Sequence, residues 1–315
     1  MKKPSNLLAG TLLSGLLLAV LATSGSVTAA SPPKGISLTP FEQQLTLGST
    51  DGAKSFDIIL TNHTDSLQEL DLSSRDFGSL NDSGGILLEG HTAYSQRYGL
   101  TSWLTLGTDT VVLQPGESRT IPVTVDNRSS LQPGGHYAAV VASVNSLNNQ
   151  AGNHVVINQQ LLSLVLVDKV GGEHFDLKLA GITQNGNWLH LPTTVKLHFQ
   201  NPGNVHVIPR GTVKLLTPSG TVVSQGIIND DSSFVLPETF RDIYVNLTPV
   251  GRALSLPGLY RLEVQYHYDG LNKTASRDFR LRYIDLKLYV VLLVIAGSGW
   301  WLFRRLKSVS SSPKS

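Results

Sequence analysis

The chain has 315 residues, 41% of them hydrophobic and only 15% charged, a balance that suits folded domains and leaves room for about two. With 25 basic and 23 acidic residues the formal charge is +2, which gives no electrostatic reason to expect nucleic acid as a partner. Cysteine is absent, so disulfides, zinc–thiolate sites and thiol catalysis are excluded, and an exported protein of this kind fits a bacterial surface better than a eukaryotic one.

At the N-terminus Lys2 and Lys3 precede an apolar run from Leu7 to Ala22, and Val27-Thr28-Ala29-Ala30-Ser31 follows. A basic start, a hydrophobic stretch and small residues at a cleavage site predict a signal peptide over residues 1–30, with a retained N-terminal anchor as the competing reading. No cysteine stands at the cleavage site, which rules out a lipoprotein.

From Ser31 to Tyr283 short alternating runs are punctuated by Pro, Gly, Asn and Asp, the pattern of β-sandwiches. In a first domain, residues 31–172, strands are expected at Phe41–Leu47, Phe56–Thr61, Leu70–Ser74, Ser118–Val125 and Tyr137–Val144. Pro122 lacks an N–H for a ladder and predicts an edge or a bulge. Asn62-His63-Thr64-Asp65 and Gln114-Pro115-Gly116-Glu117 are turn sequences. Gln160–Val167 is the most hydrophobic internal run and predicts a strand buried on both faces; Gly171-Gly172 marks the boundary.

The second domain, residues 173–283, repeats the grammar. Strands are expected at His174–Ile182, Leu189–Gln200, Gly211–Leu216, Val222–Ile228, Phe240–Leu247, Leu259–Tyr268 and Thr274–Tyr283, with tight turns at Asn201-Pro202-Gly203-Asn204 and Thr217-Pro218-Ser219-Gly220. The expected fold class is therefore all-β: two tandem immunoglobulin-like β-sandwiches, followed by one transmembrane helix.

That helix is placed at 284–303. Leu288 to Phe303 carries no charge and spans roughly 24 Å, which Lys287 and Arg304 extend by snorkelling. Tyr289, Trp300 and Trp301 sit where an aromatic belt belongs, and Arg304, Arg305 and Lys307 act as a stop-transfer cluster. A buried element of a soluble domain is the competing reading. Export of the ectodomain leaves 304–315 as a basic cytoplasmic tail, so the expected location is the cell membrane, single-pass, with function outside.

The segments Phe56-Asp57-Ile58-Ile59-Leu60-Thr61-Asn62, Leu113-Gln114-Pro115-Gly116-Glu117-Ser118, Gln132-Pro133-Gly134-Gly135-His136-Tyr137, Val195-Lys196-Leu197-His198-Phe199-Gln200-Asn201 and Leu256-Pro257-Gly258-Leu259-Tyr260 resemble the WxL-interacting-protein family of bacterial surface proteins. Each is also generic to Ig-like and pilus-chaperone-like sandwiches. The resemblance implies a first domain that engages peptidoglycan and a second that engages a partner or host protein.

Signatures of catalysis are missing. There is no His-Glu-x-x-His among nine histidines, and the regular spacing of His190, His198 and His206 spans a strand and turn rather than one coordination face. No Gly-x-Ser-x-Gly occurs, Asp76-Phe77-Gly78 has no kinase context, and Leu236-Pro237-Glu238-Thr239-Phe240 has Phe where a sortase signal needs Gly. Asp230-Asp231 reads as a solvated turn. The expectation is no enzyme, no cofactor and no metal. The sequons at Asn62, Asn81, Asn127, Asn246 and Asn272 are read as chance.

Recognition surface is expected on the long insertion Ser83–Ser102, whose Tyr94, Arg97 and Tyr98, with nearby Trp103, are the candidate ligand contacts. Alternatively Trp103 and one tyrosine close the sandwich core. The sequence thus predicts a surface binding protein for cell-wall polymer or a surface or host protein, or else an assembly factor that works by strand addition.

Overall fold

The computed structural model describes residues 35–88, 93–145, 159–251, 256–270 and 274–310; the expected signal peptide lies outside them, as does most of the polar loop after Asn145. The first domain runs β1 (Ile36–Thr39), β2 (Glu42–Leu47), β3 (Lys54–Asn62), β4 (Gln68–Ser79), β5 (Ile86–Leu88), helix α1 (Ala93–Tyr98), a single 3-10 turn (Thr101–Trp103), β6 (Leu104–Leu106), β7 (Thr110–Leu113), β8 (Ser118–Val125), β9 (Gly134–Asn145) and β10 (Gln160–Lys169). One sheet has the order β1-β3-β8-β6; the other has β2-β10-β9-β4-β5, with β7 also on β4. The chain changes sheets between β1 and β2: β1 lies antiparallel on β3, and β2 runs parallel to Leu164–Lys169 of β10.

Alternation explains the core. Ile58 and Leu60 of β3 and Ile121, Val123 and Val125 of β8 point inward against Leu70, Leu72, Ala138, Val140, Ala142, Val165 and Val167 of the facing sheet. Pro122 is not on an edge strand, since β8 lies between β3 and β6. The β6 ladder covers only Val123–Val125, however, and its last bond is Gly107 N–H to the Pro122 carbonyl at 2.9 Å. The missing N–H therefore falls where the ladder has ended.

The second domain runs β11 (Lys178–Gln184), β12 (Thr194–Gln200), β13 (Arg210–Leu216), β14 (Val222–Ile228), β15 (Phe240–Asn246), β16 (Thr248–Pro249), β17 (Gly258–His267) and β18 (Ala275–Tyr283). Its sheets are β11-β12-β15 and β16-β14-β13-β17-β18, closing over Val195, Leu197, Phe199, Val213, Leu215, Tyr260, Leu262 and Val264.

Two expected strands start late. Residues 189–193 form a turn instead, because the Asn185 side chain accepts both the Thr193 and Thr194 N–H groups and Asn187 accepts those of Leu189 and His190. His174 is held before β11 by its N–H on Asn204 Oδ1.

Asn62 ends β3 and Asn201 directly follows β12, and both are fully buried. Asn62 Nδ2 donates to the carbonyls of Ser66, Leu113 and Gln114, and Asn201 Nδ2 to those of Val205 and Val235. Each carboxamide ties together loops that otherwise have no ladder to satisfy their carbonyls.

After β18, helix α2 occupies Leu286–Ser310 and continues past the expected end at Phe303. Its Leu286–Arg304 stretch has mean hydropathy 1.8 and is long and apolar enough to cross a membrane. Tyr289, Trp300 and Trp301 are exposed along it, the Arg304 guanidinium lies 4.5 Å over the Trp300 ring, and Arg305 follows in the same helix.

Candidate binding site: an open edge beside the interdomain cleft

Strands β9 and β10 are apolar on both faces because each face has a different partner. Ala138, Val140, Ala142, Val165 and Val167 enter the sandwich core. On the reverse, Tyr137, Ala139, Val141, Leu164 and Leu166 meet Phe77 and Tyr98 of their own domain and Ile208, Phe234 and Leu236 of the second. The predicted two-sided burial of 160–167 holds for 163–167, where it comes from domain docking, while Gln160 is exposed and Leu161 and Leu162 are half-buried. Each fully buried large side chain contributes about 1.5–3 kcal/mol.

Polar groups fix the docking angle. The Tyr137 hydroxyl accepts the His206 backbone N–H at 2.8 Å, and Gly135 N–H donates to the Asn204 carbonyl at 2.8 Å. A Cβ on Gly135 would collide with the Tyr137 hydroxyl and the Val205 backbone, so this approach requires glycine. At the far side Asp242 N–H donates to the Asp82 carbonyl at 2.5 Å, which covers the edge of β15. Gly84, at φ +78°, lies against the Arg241 guanidinium, which itself donates to the Phe234 carbonyl at 2.6 Å.

His206 and Asp168 meet inside this interface. Their Nδ1 and Oδ1 atoms are 3.3 Å apart, with the Tyr137 hydroxyl 3.4 Å from the same Nδ1. Burial lowers the His206 imidazole to about 4. Burial, reinforced by Asp269 and Glu173, raises the Asp168 carboxyl to about 7. Both shifts favour uncharged partners.

The expected ligand contacts divide. Tyr98 is buried at 3% exposure in the interdomain cluster, with its hydroxyl raised to about 12 by burial and the nearby Glu238. Tyr94 is half-buried with its ring 4.8 Å from that of Tyr98. Arg97 is exposed, stacks over Tyr98 and pairs with Glu238 of the second domain at 2.5 Å. Trp103 is separate: half-buried against the first core, it donates from Nε1 to Ser130 Oγ at 3.2 Å.

Asp76 organises the return of the loop, accepting from the Leu100 and Thr101 N–H groups and the Thr101 hydroxyl through one oxygen. The Leu236–Phe240 segment serves as an interdomain strut, with Leu236 buried and Glu238 at φ +57° facing Arg97. His190 sits in a turn and His198 stacks on Phe240 beside Asp242, both apart from the buried His206.

One backbone edge is left open. β2 covers β10 only from Leu164 onward, while β9 covers it from Gln160. Leu164 and Val170 N–H groups point to the β2 side, and the Gln159 carbonyl points to β9. By alternation the N–H and C=O of Gln160 and Leu162 face the β2 side, where no ladder pairs them among the described residues. The Pro40 corner between β1 and β2 lies alongside, its carbonyl accepting the Ser163 hydroxyl at 2.7 Å. Leu161 and Leu162 flank this edge, half-buried against the sandwich core and the interdomain cluster respectively.

No protein-family model matches the chain, and no curated protein does. Solved structures similar to it include a chain of the chaperone–tip adhesin complex of CFA/I fimbriae, at 12% identity over 78% of this chain and 98% of that one, TM-score 0.41. The class 5 fimbriae chaperone CfaA gives 12% identity over 78% and 99%, TM-score 0.39, and the E. coli chaperone DraB 10% over 80% and 97%, TM-score 0.35.

Three other sheet edges are blunted. β18 carries Arg277, Asp278, Arg280 and Arg282; β11 has a bulge between Leu179 and Gly181; on β2 the Lys54 ammonium occupies the Thr46 carbonyl at 2.5 Å. Charge or irregularity guards those three edges, whereas Gln160-Leu161-Leu162-Ser163 carries no charge and its Ser163 hydroxyl donates to the Pro40 carbonyl. Sequence reading located the strand, but its uncovered half depends on where β2 stops, which no local pattern encodes.

Proposed function

We propose that the chain is a membrane-anchored, extracytoplasmic binding protein that holds an extended segment of a partner protein along the open half of β10. The outward backbone groups of Gln160 and Leu162 carry this reading, since an added strand satisfies them and rests its side chains beside Leu161 and Leu162. The docked domains support it by holding the edge at a fixed angle to the second sandwich. Helix α2 supplies a single-pass anchor of sufficient length.

The test places a photoreactive residue at Gln160 of the full chain in its own membrane. The expected product is a protein adduct that disappears in Leu162→Pro, which removes an outward N–H together with the half-buried Leu162 side chain but breaks no bond of the β9 ladder. Ser163→Pro is the contrasting control, because that N–H belongs to the β9 ladder and its loss costs about 1–3 kcal/mol. No adduct, or an adduct indifferent to Leu162→Pro, overturns strand addition. A muramidase-sensitive glycan adduct returns the role to cell-wall polymer.

A further inference from the structure

Two residues separate β18, which ends at Tyr283, from α2, which starts at Leu286. In that gap Ile284 N–H donates to the Trp188 carbonyl at 2.6 Å. Trp188 sits in the β11–β12 turn, which is locked by the Asn185 and Asn187 side chains. Gly186 passes so near the His190 carbonyl and the Pro192 nitrogen that a Cβ there has no room. The indole is 56% exposed on this rigid turn.

The helix start is equally fixed, because Asp285 Oδ1 accepts the Lys287 N–H at 3.0 Å and the Leu288 N–H at 3.3 Å. Two extended residues reach about 7 Å, so Trp188 lies within roughly 10 Å of the first apolar residue of α2. The polar interface of a bilayer is about 5–8 Å deep on each side. An exposed indole in isolation is ordinary surface. One held by its own backbone beside the entry point of a membrane-length helix is within reach of the interfacial depth that tryptophan prefers. Leu256, 58% exposed, projects near the same end, since its carbonyl accepts the Tyr260 hydroxyl beside the Tyr283 ring.

We propose that Trp188 is a second membrane contact, a foot inserted into the glycerophospholipid interface that fixes the tilt of the second domain on the bilayer. This rests on α2 spanning that bilayer. Its consequence is mechanical: the ectodomain stands at a set angle rather than swivelling on the helix, and the open edge of β10 is presented in a constant direction.

The test uses the full chain in phosphatidylcholine–phosphatidylglycerol vesicles. One variant keeps Trp188 as its sole tryptophan through Trp103→Phe, Trp300→Phe and Trp301→Phe; a second keeps only Trp300. Trp188 is expected to be quenched several-fold more by shallow than by deep brominated acyl chains and to resist aqueous iodide, while Trp300 is quenched by brominated lipid and reports the span. Quenching of Trp300 with Trp188 open to iodide overturns the foot and leaves the span standing. Loss of both overturns both. Because the natural chain has no cysteine, His190→Cys carrying a nitroxide gives an independent depth in a chain that keeps Trp103. Its ratio of oxygen to nickel-chelate accessibility is expected to fall to the aqueous value in Trp188→Ser, and an unchanged ratio counts against the foot.

Discussion

Burial favours the uncharged forms of both His206 and Asp168, and single substitutions expose their opposite pH dependences. The Asp168 carboxyl rises from 3.8 to about 7 on burial, so the stability it contributes is present below pH 3.8 and is lost as pH climbs through 7. At ~1.4 kcal/mol per pH unit this is about 4 kcal/mol, reduced to about 2–3 because the side chain is 25% exposed. The His206 imidazole falls from 6.5 to about 4, so its contribution is present above pH 6.5 and is lost as pH falls through 4, by about 3 kcal/mol. Between pH 4 and 6.5 the slopes oppose and nearly cancel.

The assay is urea unfolding of the full chain in detergent micelles, followed by circular dichroism at half-unit pH steps, with each variant compared with the parent. His206→Gln removes the imidazole's rising contribution, and its stability relative to the parent falls by about 3 kcal/mol from pH 4.5 to 6.5 and is level above that. Asp168→Asn removes the carboxyl's falling contribution, and its stability relative to the parent rises by about 2 kcal/mol from pH 4.5 to 6.5. Slopes of the same sign, or two flat profiles, refute the assignment of uncharged partners.

Other substitutions probe the same architecture. Tyr137→Phe leaves the buried His206 N–H without its acceptor and is expected to cost about 1–3 kcal/mol by the same unfolding assay. Gly84→Ala places a Cβ at φ +78° against Arg241 and is expected to cost about 1–3 kcal/mol, with faster amide exchange at Asp242 as the interdomain bond weakens. Asn62→Ala and Asn201→Ala each strand several buried carbonyls and are expected to lose about 2–4 kcal/mol, each loosening its own domain first by limited proteolysis.

Much of the fold was legible because it is local. Ser118–Val125 and Val222–Ile228 were placed to the residue, since alternation and flanking turns define them. Short partners such as β5, β6 and β16 escaped, because two or three residues carry no period. The turn at 189–193 escaped because Asn185 and Asn187 hold a conformation that the apolar Leu189 and Leu191 conceal in a hydropathy pattern.

The candidate surface on the long insertion was drawn from residue type alone. Aromatic residues suit recognition and packing equally, and only tertiary structure shows Tyr98 turned to the second domain and Trp103 to the first core. His206 and Asp168 stand 38 positions apart on different domains, so no spacing in the chain connects them.

The open edge is tested most directly by residue-resolved amide hydrogen exchange over Gln160–Ser163, in the free full chain and in the complex trapped through position 160. In the free chain Leu162 is expected to exchange rapidly between slow neighbours at Leu161 and Ser163, and in the complex Leu162 slows by at least tenfold. Uniform slow exchange in the free chain, or a Leu162 amide unchanged in the complex, contradicts strand addition at this edge.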